Sequence, residues 1–182
     1  MKRLVIVHGW DGFPEECWFP WLKKESERAG FKVSVPQMPQ PDAPHIDRWV
    51  PHLAKTIGNP DDELILVGHS AGCITILRYL EDLPKEAKVG RVVLVAGFTD
   101  NLGFKELDNY FQRHIDWKKI KSHCSSFVSI YSDNDQYVPI KHADAFRKNL
   151  GARVVAERGK NHMGGSDNVT ELQSALDAVL KG

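Results

Sequence analysis

Hydrophobic residues along the chain fall into six short, β-branched-rich runs separated by longer stretches of helical period. The runs Leu4–His8, Lys32–Val35, Leu64–Val67, Arg91–Ala96, Phe127–Tyr131 and Arg153–Ala156 are mostly unbroken by polar residues and are bounded by Gly or polar positions. Strands buried on both faces of a parallel sheet read this way. Between them the pattern predicts helices over Glu15–Ala29, Ile46–Ile57, Ala71–Leu83, Pro139–Leu150 and Val169–Leu180. Gly30, Gly58 and Gly151 stand where helices stop, and Pro139 suits a first helical turn. Ala71–Leu83 sets Ile74, Leu77, Tyr79 and Leu80 on one face. Asn168 with Glu171 three residues on reads as a capping box for the last helix. Strand and helix alternating six times predict an α/β fold, a three-layer α/β/α sandwich on a parallel sheet.

Two segments fall outside this alternation. Val35–Pro44 carries four prolines in ten residues and must be extended loop. It reads as a stiff connection, and its Pro-x-x-Pro spacings also fit a docking ligand. Gly97–Cys124 is long for a connection and carries Phe98, Phe104, Tyr110, Phe111 and Trp117. Short helices over one end of the sheet are expected there, covering either core or a substrate site.

Composition narrows the function classes. The 182 residues fit a single domain, 1–182, with 42% hydrophobic and 26% charged positions. Lys plus Arg equals Asp plus Glu at 24 each, which leaves no electrostatic footprint for nucleic acid or an anionic membrane. Lys118, Lys119 and Lys121 read as a solvated helix face. Cys17, Cys73 and Cys124 lack framework spacing and are expected as free thiols. The apolar run Leu4–Val7 is too short for a signal-peptide core, and no run approaches the ~18 residues of a membrane span. A cytoplasmic location is the resulting expectation.

The candidate chemistry centres on Gly68-His69-Ser70-Ala71-Gly72, between a predicted strand and a predicted helix. Such a turn lifts a serine hydroxyl to the carboxyl edge of the sheet, and bulk at either glycine would collide with the flanking strand and helix. A nucleophilic serine needs a base, and the base an orienting acid. The fifth strand runs into "SDNDQYVP", which offers Asp133 and Asp135, and the sixth into "ERGKNHMGG", which offers His162. Asp135 could equally cap the helix that follows. The Ala71 N–H and the Trp10 N–H, the latter from the loop after the first strand, are placed to bind an oxyanion. Trp10, Phe98, Phe104, Tyr137 and Met163 are expected to line the substrate pocket. His69 reads as a packing or hydrogen-bonding neighbour rather than the base, and Cys73 would rival Ser70 only with a lowered pKa. No phosphate-binding glycine motif and no zinc-ligand spacing occurs, so neither metal nor cofactor is expected.

With these residues assembled, the chain resembles the α/β-hydrolase superfamily. The likeness is to small single-domain serine hydrolases related to retinoblastoma-binding protein 9. It rests on "LVIVHGW", "WFPWLKKE", "QMPQPDAP", "VGHSAG", "RVVLVAGF", "SDNDQYVP" and "GKNH", spread over the whole chain. The resemblance implies a Ser70, Asp135, His162 triad, with Asp135 chosen over Asp133 because an aspartate three residues before Val-Pro is frequent in the superfamily. It also implies a minimal version of the fold: six parallel strands in the order 2-1-3-4-5-6, without the first antiparallel hairpin and without a lid domain. The expected activity is hydrolysis of a carboxylic ester, with thioester or amide cleavage open to the same machinery. The expected partner is a small-molecule substrate. The alternative is a protein-interaction module that keeps the scaffold without catalysis.

Overall fold

The computed structural model describes residues 1–181. Six strands, β1 (Arg3–Val7), β2 (Lys32–Ser34), β3 (Leu64–His69), β4 (Arg91–Val95), β5 (Phe127–Ser132) and β6 (Arg153–Glu157), form one sheet. All pair in parallel, in the order β2-β1-β3-β4-β5-β6. Five helices join them, α1 (Phe19–Arg28), α2 (Ile46–Ile57), α3 (Ala71–Asp82), α4 (Trp117–His123) and α5 (Lys141–Leu150), and α6 (Gln173–Leu180) follows β6. Among the described residues no helix is long and apolar enough to cross a membrane.

Strand alternation sorts the apolar side chains into two cores. Leu4, Ile6, Ile65, Val67, Val93 and Val95 face α1 and α6. Val5, Val7, Leu66, Val92 and Leu94 face the other side, with α2, α3, α5 and the Gly97–Cys124 segment. The edge strands β2 and β6 are the least buried, as exposed edges should be.

Three local expectations change. Helix α1 begins at Phe19 rather than Glu15, because Cys17 sits at φ +46 and breaks the turn while Pro20 starts the next. The predicted capping box at Asn168 is absent. Asn168 is left-handed (φ 54, ψ 27) and closes a 3-10 turn over Gly165–Asp167. Val169 and Leu172 instead enter the core, which delays α6 to Gln173. Finally, α3 has no solvent face, since every residue from Ala71 to Glu81 is buried. Its polar side is covered by the Gly97–Cys124 segment, which folds as a 3-10 helix over Lys105–Tyr110 followed by α4.

Candidate active site

The sharp exit from β3 sets the geometry. Ser70 adopts φ 52, ψ −119 between the last residue of β3 and the first of α3, a conformation that L side chains rarely take. Its N–H bonds Val95 O at 2.9 Å. The close packing around it has no room for side chains at the flanking glycines. A Cβ on Gly72 would run into the Val7 carbonyl and lie 2.8 Å from His8 O, and one on Gly68 would lie 2.8 Å from Cys73 N.

Loops after β5 and β6 reach back to this turn. His162, in the loop after β6, brings Nε2 to 3.0 Å from Ser70 Oγ and Nδ1 to 2.9 Å from Asp135 Oδ2. An ionised carboxylate only accepts, so Nδ1 carries the proton and Nε2 is left to accept from the serine hydroxyl. Asp135, just beyond β5, has a side chain only 1% exposed. Its other oxygen accepts the N–H groups of Tyr137 (2.8 Å) and Val138 (2.9 Å) in the turn ahead of α5, so it does not cap that helix, whose N-cap is Ile140 without a side-chain cap. Burial alone would raise the Asp135 pKa. The hydrogen bond and charge of His162, with the two backbone donors, outweigh burial and hold it below its usual value. Asp133 is exposed and accepts from Gly159 N at 2.8 Å, which ties the loop after β6 to β5.

Ala71 N opens α3, one of the donors a helix start leaves free, and Trp10 stands opposite on the loop after β1. Ser70, His162, Trp10 and Ala71 share one cleft of about 420 Å³. A family model described as serine hydrolase matches residues 4–180 of this chain. The chain belongs to the serine hydrolase family.

Curated relatives agree with that membership. The chain is 30% identical to the putative hydrolase YdeN of Bacillus subtilis over 179 residues, 98% of this chain and 94% of that protein. It is 29% identical over 161 residues to the serine hydrolase RBBP9 of Rattus norvegicus, covering 87% of this chain and 80% of the relative. The crystal structure of the ydeN product superposes with a TM-score of 0.93 over 98% of this chain and 97% of the other. Est1E of Butyrivibrio proteoclasticus, solved with ferulic acid bound, shares the fold at a TM-score of 0.75 and 13% identity, over 98% and 86% of the two chains.

In this serine hydrolase the cleft is lined by four of the five residues expected from sequence, Trp10, Phe98, Phe104 and Tyr137, joined by Asp11, Leu102, Leu107 and Ser166. Met163 does not line it. Met163 is fully buried in the core under α1 and α6. Its backbone turns at φ +57, and its carbonyl accepts from Trp18 Nε1 at 3.0 Å, so the side chain points beneath the loop rather than into the cleft. Cys73 is no rival nucleophile: burial pushes its thiol pKa well up, and its one S–H is shared between the carbonyls of Gly68 and Val95.

Four supporting side chains escaped the sequence reading. Burial keeps His8 neutral, with its pKa below the ordinary value. Its Nε2 accepts from Met38 N at 2.9 Å while Nδ1–H donates to Gly9 O at 2.8 Å. The proline-rich loop is thereby tied inward, and further bonds run from Trp10 Nε1 to Asp42 O, Trp49 Nε1 to Pro39 O and Asp11 N to Pro41 O. It braces the loop after β1 rather than standing free as a ligand. Glu16 accepts from Gly165 N at 3.0 Å and so links the loops after β1 and near His162. Arg78 and Glu81, on α3, grip the backbone of the segment that forms the cleft's apolar side. Arg78 donates to the carbonyls of Tyr110 and Arg113, and Glu81 accepts from Asp116 N. No local pattern marks these four, because every partner that ties them to another loop lies far away in sequence.

Proposed function

We propose that this serine hydrolase cleaves carboxylic esters of small substrates through an acyl-enzyme on Ser70. The observation that carries the reading is the unbroken chain from Asp135 through His162 to Ser70 Oγ, with bonds of 2.9 and 3.0 Å at the floor of a cleft. Ser70 Oγ attacks the ester carbonyl carbon as His162 Nε2 takes its proton. Asp135 holds the ring and stabilises the imidazolium that forms. The carbonyl oxygen, now anionic, faces the N–H groups of Trp10 and Ala71. Donors fixed in advance there stabilise the charge without reorganisation, at a typical gain of about 3–4 kcal/mol per donor. Collapse breaks the bond to the leaving oxygen, which receives the proton from His162 and departs as the alcohol. Water then repeats the sequence on the acyl-serine and releases the acid. Thioesters and amides fit the same steps.

The deciding experiment is treatment with a fluorophosphonate probe followed by peptide mass spectrometry. Labelling at Ser70 that disappears in His162→Ala is the expected result. A folded protein that takes no label and hydrolyses no activated ester overturns the proposal.

A further inference from the structure

Acyl-group selectivity rests on the proposed esterase reading, which sets the surroundings of three of the four substituents on the tetrahedral adduct at Ser70. One substituent is Oγ itself. A second is the oxyanion, toward the Trp10 and Ala71 N–H groups. The third is the leaving oxygen, which must approach His162 Nε2 to be protonated. Tyr137, edge-on to the His162 ring at 5.1 Å, and Ser166 border that end of the cleft. The fourth substituent, the acyl group, is left the rest of the cleft wall, Phe98, Leu102, Phe104 and Leu107 with Trp10, whose ring meets Phe104 edge-on at 5.9 Å.

Every side chain on that wall is apolar. The one carboxylate lining the cleft is Asp11, and no Lys or Arg lines it among the described residues. Asp11 is exposed and fixed at the rim by its left-handed backbone (φ 56) and its N–H bond to Pro41 O. An acid group on the substrate would meet this carboxylate with no cation to offset it.

From this arrangement we infer that the enzyme selects uncharged, apolar acyl groups and rejects anionic ones. The volume of about 420 Å³ for the whole substrate lies near the lower end of small-molecule sites, which suits a single ring or a chain of about six carbons. The wall of Phe98, Leu102, Phe104 and Leu107 supplies the preference for length, and Asp11 the discrimination by charge.

The test measures kcat/KM of the full chain on p-nitrophenyl acetate, butyrate, hexanoate and laurate and on mono-p-nitrophenyl succinate, all with one leaving group. Burial of a methylene gives up to about fourfold each. With the cleft partly open, at least a tenfold rise from acetate to hexanoate is expected, with laurate below hexanoate. Succinate should run about five- to tenfold below butyrate, as a like charge at the rim dictates. Phe104→Ala should lower the hexanoate-to-acetate ratio severalfold, and Asp11→Asn should narrow the butyrate-to-succinate gap. A flat chain-length series, or succinate cleaved as well as butyrate, overturns the selectivity while Ser70 labelling leaves the esterase reading standing. No labelling and no turnover of any ester overturns both.

Discussion

His69 donates its Nε2–H to the backbone carbonyl of His162 at 2.9 Å, across ninety-three residues of sequence. The two rings lie 5.0 Å apart, and Trp18 and Phe19 also meet His69 edge-on. Burial, then the nearby His162, lowers the His69 pKa to about 3, so it stays neutral and acts through its N–H rather than as a base. Its bond sets the backbone from which the His162 ring spans Ser70 and Asp135. Misplacing a reacting group by about 1 Å can cost ~10²-fold. His69→Ala is therefore expected to lower kcat by about ten- to a hundredfold, and His69→Gln, which keeps an amide donor, to recover part of it. Steady-state kinetics on an activated ester decides. Full turnover in a destabilised His69→Ala variant would leave the bond a structural role alone.

Asp133 and Asp135 separate cleanly by variant. Asp135→Asn keeps an oxygen for the Tyr137 and Val138 N–H groups but disturbs the proton arrangement at His162 Nδ1. Losses of roughly 10⁴-fold accompany that change in serine proteases with this triad, so kcat should fall by at least about a thousandfold, out of proportion to the modest drop in unfolding midpoint that loss of the ionised carboxylate brings. Asp133→Asn, which touches only Gly159 N, should stay within a few-fold of the parent. The reverse pattern of rates would assign the orienting role to Asp133.

Arg78 and Glu81 pair at 2.7 Å with side chains 0% and 3% exposed. Breaking one side of a buried pair costs about 3–5 kcal/mol when the remaining charge is uncompensated; here Arg113 Nη2 still stands 3.1 Å from Glu81, which softens that loss. Arg78→Met also strips donors from the carbonyls of Tyr110 and Arg113. It should therefore lower urea-unfolding stability by about 2–4 kcal/mol, and adding Glu81→Leu should restore part. If the single variant is as stable as the parent, the anchoring account of the Gly97–Cys124 segment fails.

The contrast between these residues shows what could be read in the chain. Ser70 was legible because strand, turn and helix are adjacent in sequence and the glycines on either side have a steric reason. The sheet was legible because each buried strand is a continuous apolar run. Asp133 and Asp135 both stand beyond β5, and only the path of the turn, with Tyr137 and Val138 donating to Asp135, sends one of them to His162. Arg78 and Glu81 carry no readable signal because the carbonyls and amide they serve lie 32 to 36 residues on. The Asn168–Glu171 pattern failed for the opposite reason. A local capping signal lost to the burial of Val169 and Leu172, as tertiary packing overrides propensity.

Acidification should weaken the fold in two stages, and the sign follows from proton uptake. Burial lowers the pKa of His8, His69 and His142 below 6.5 in the folded protein. His69 Nδ1 and His142 Nε2 have no hydrogen-bond partner, although Asp100 stands 4.0 Å from the latter. Below pH 6.5 the unfolded chain binds protons that the folded one refuses, so stability present above that pH is lost as pH falls. For His69, with a folded pKa of about 3, the loss between pH 6.5 and 5 is about 2 kcal/mol. The second stage lies below about pH 4. There Asp135, held under 3.8 in the folded state, loses its contribution as it protonates. Glu16 works the other way. Burial raises its pKa above 4.5, so the folded state takes up its proton first and the decline is partly offset just above that pH. Urea midpoints measured at pH 7.5, 6, 5 and 4 should fall steadily, and His69→Gln should show a shallower slope between 6.5 and 5 than the parent. A midpoint that rises on going from pH 7.5 to 5 contradicts the assignment of the three histidines as buried and neutral.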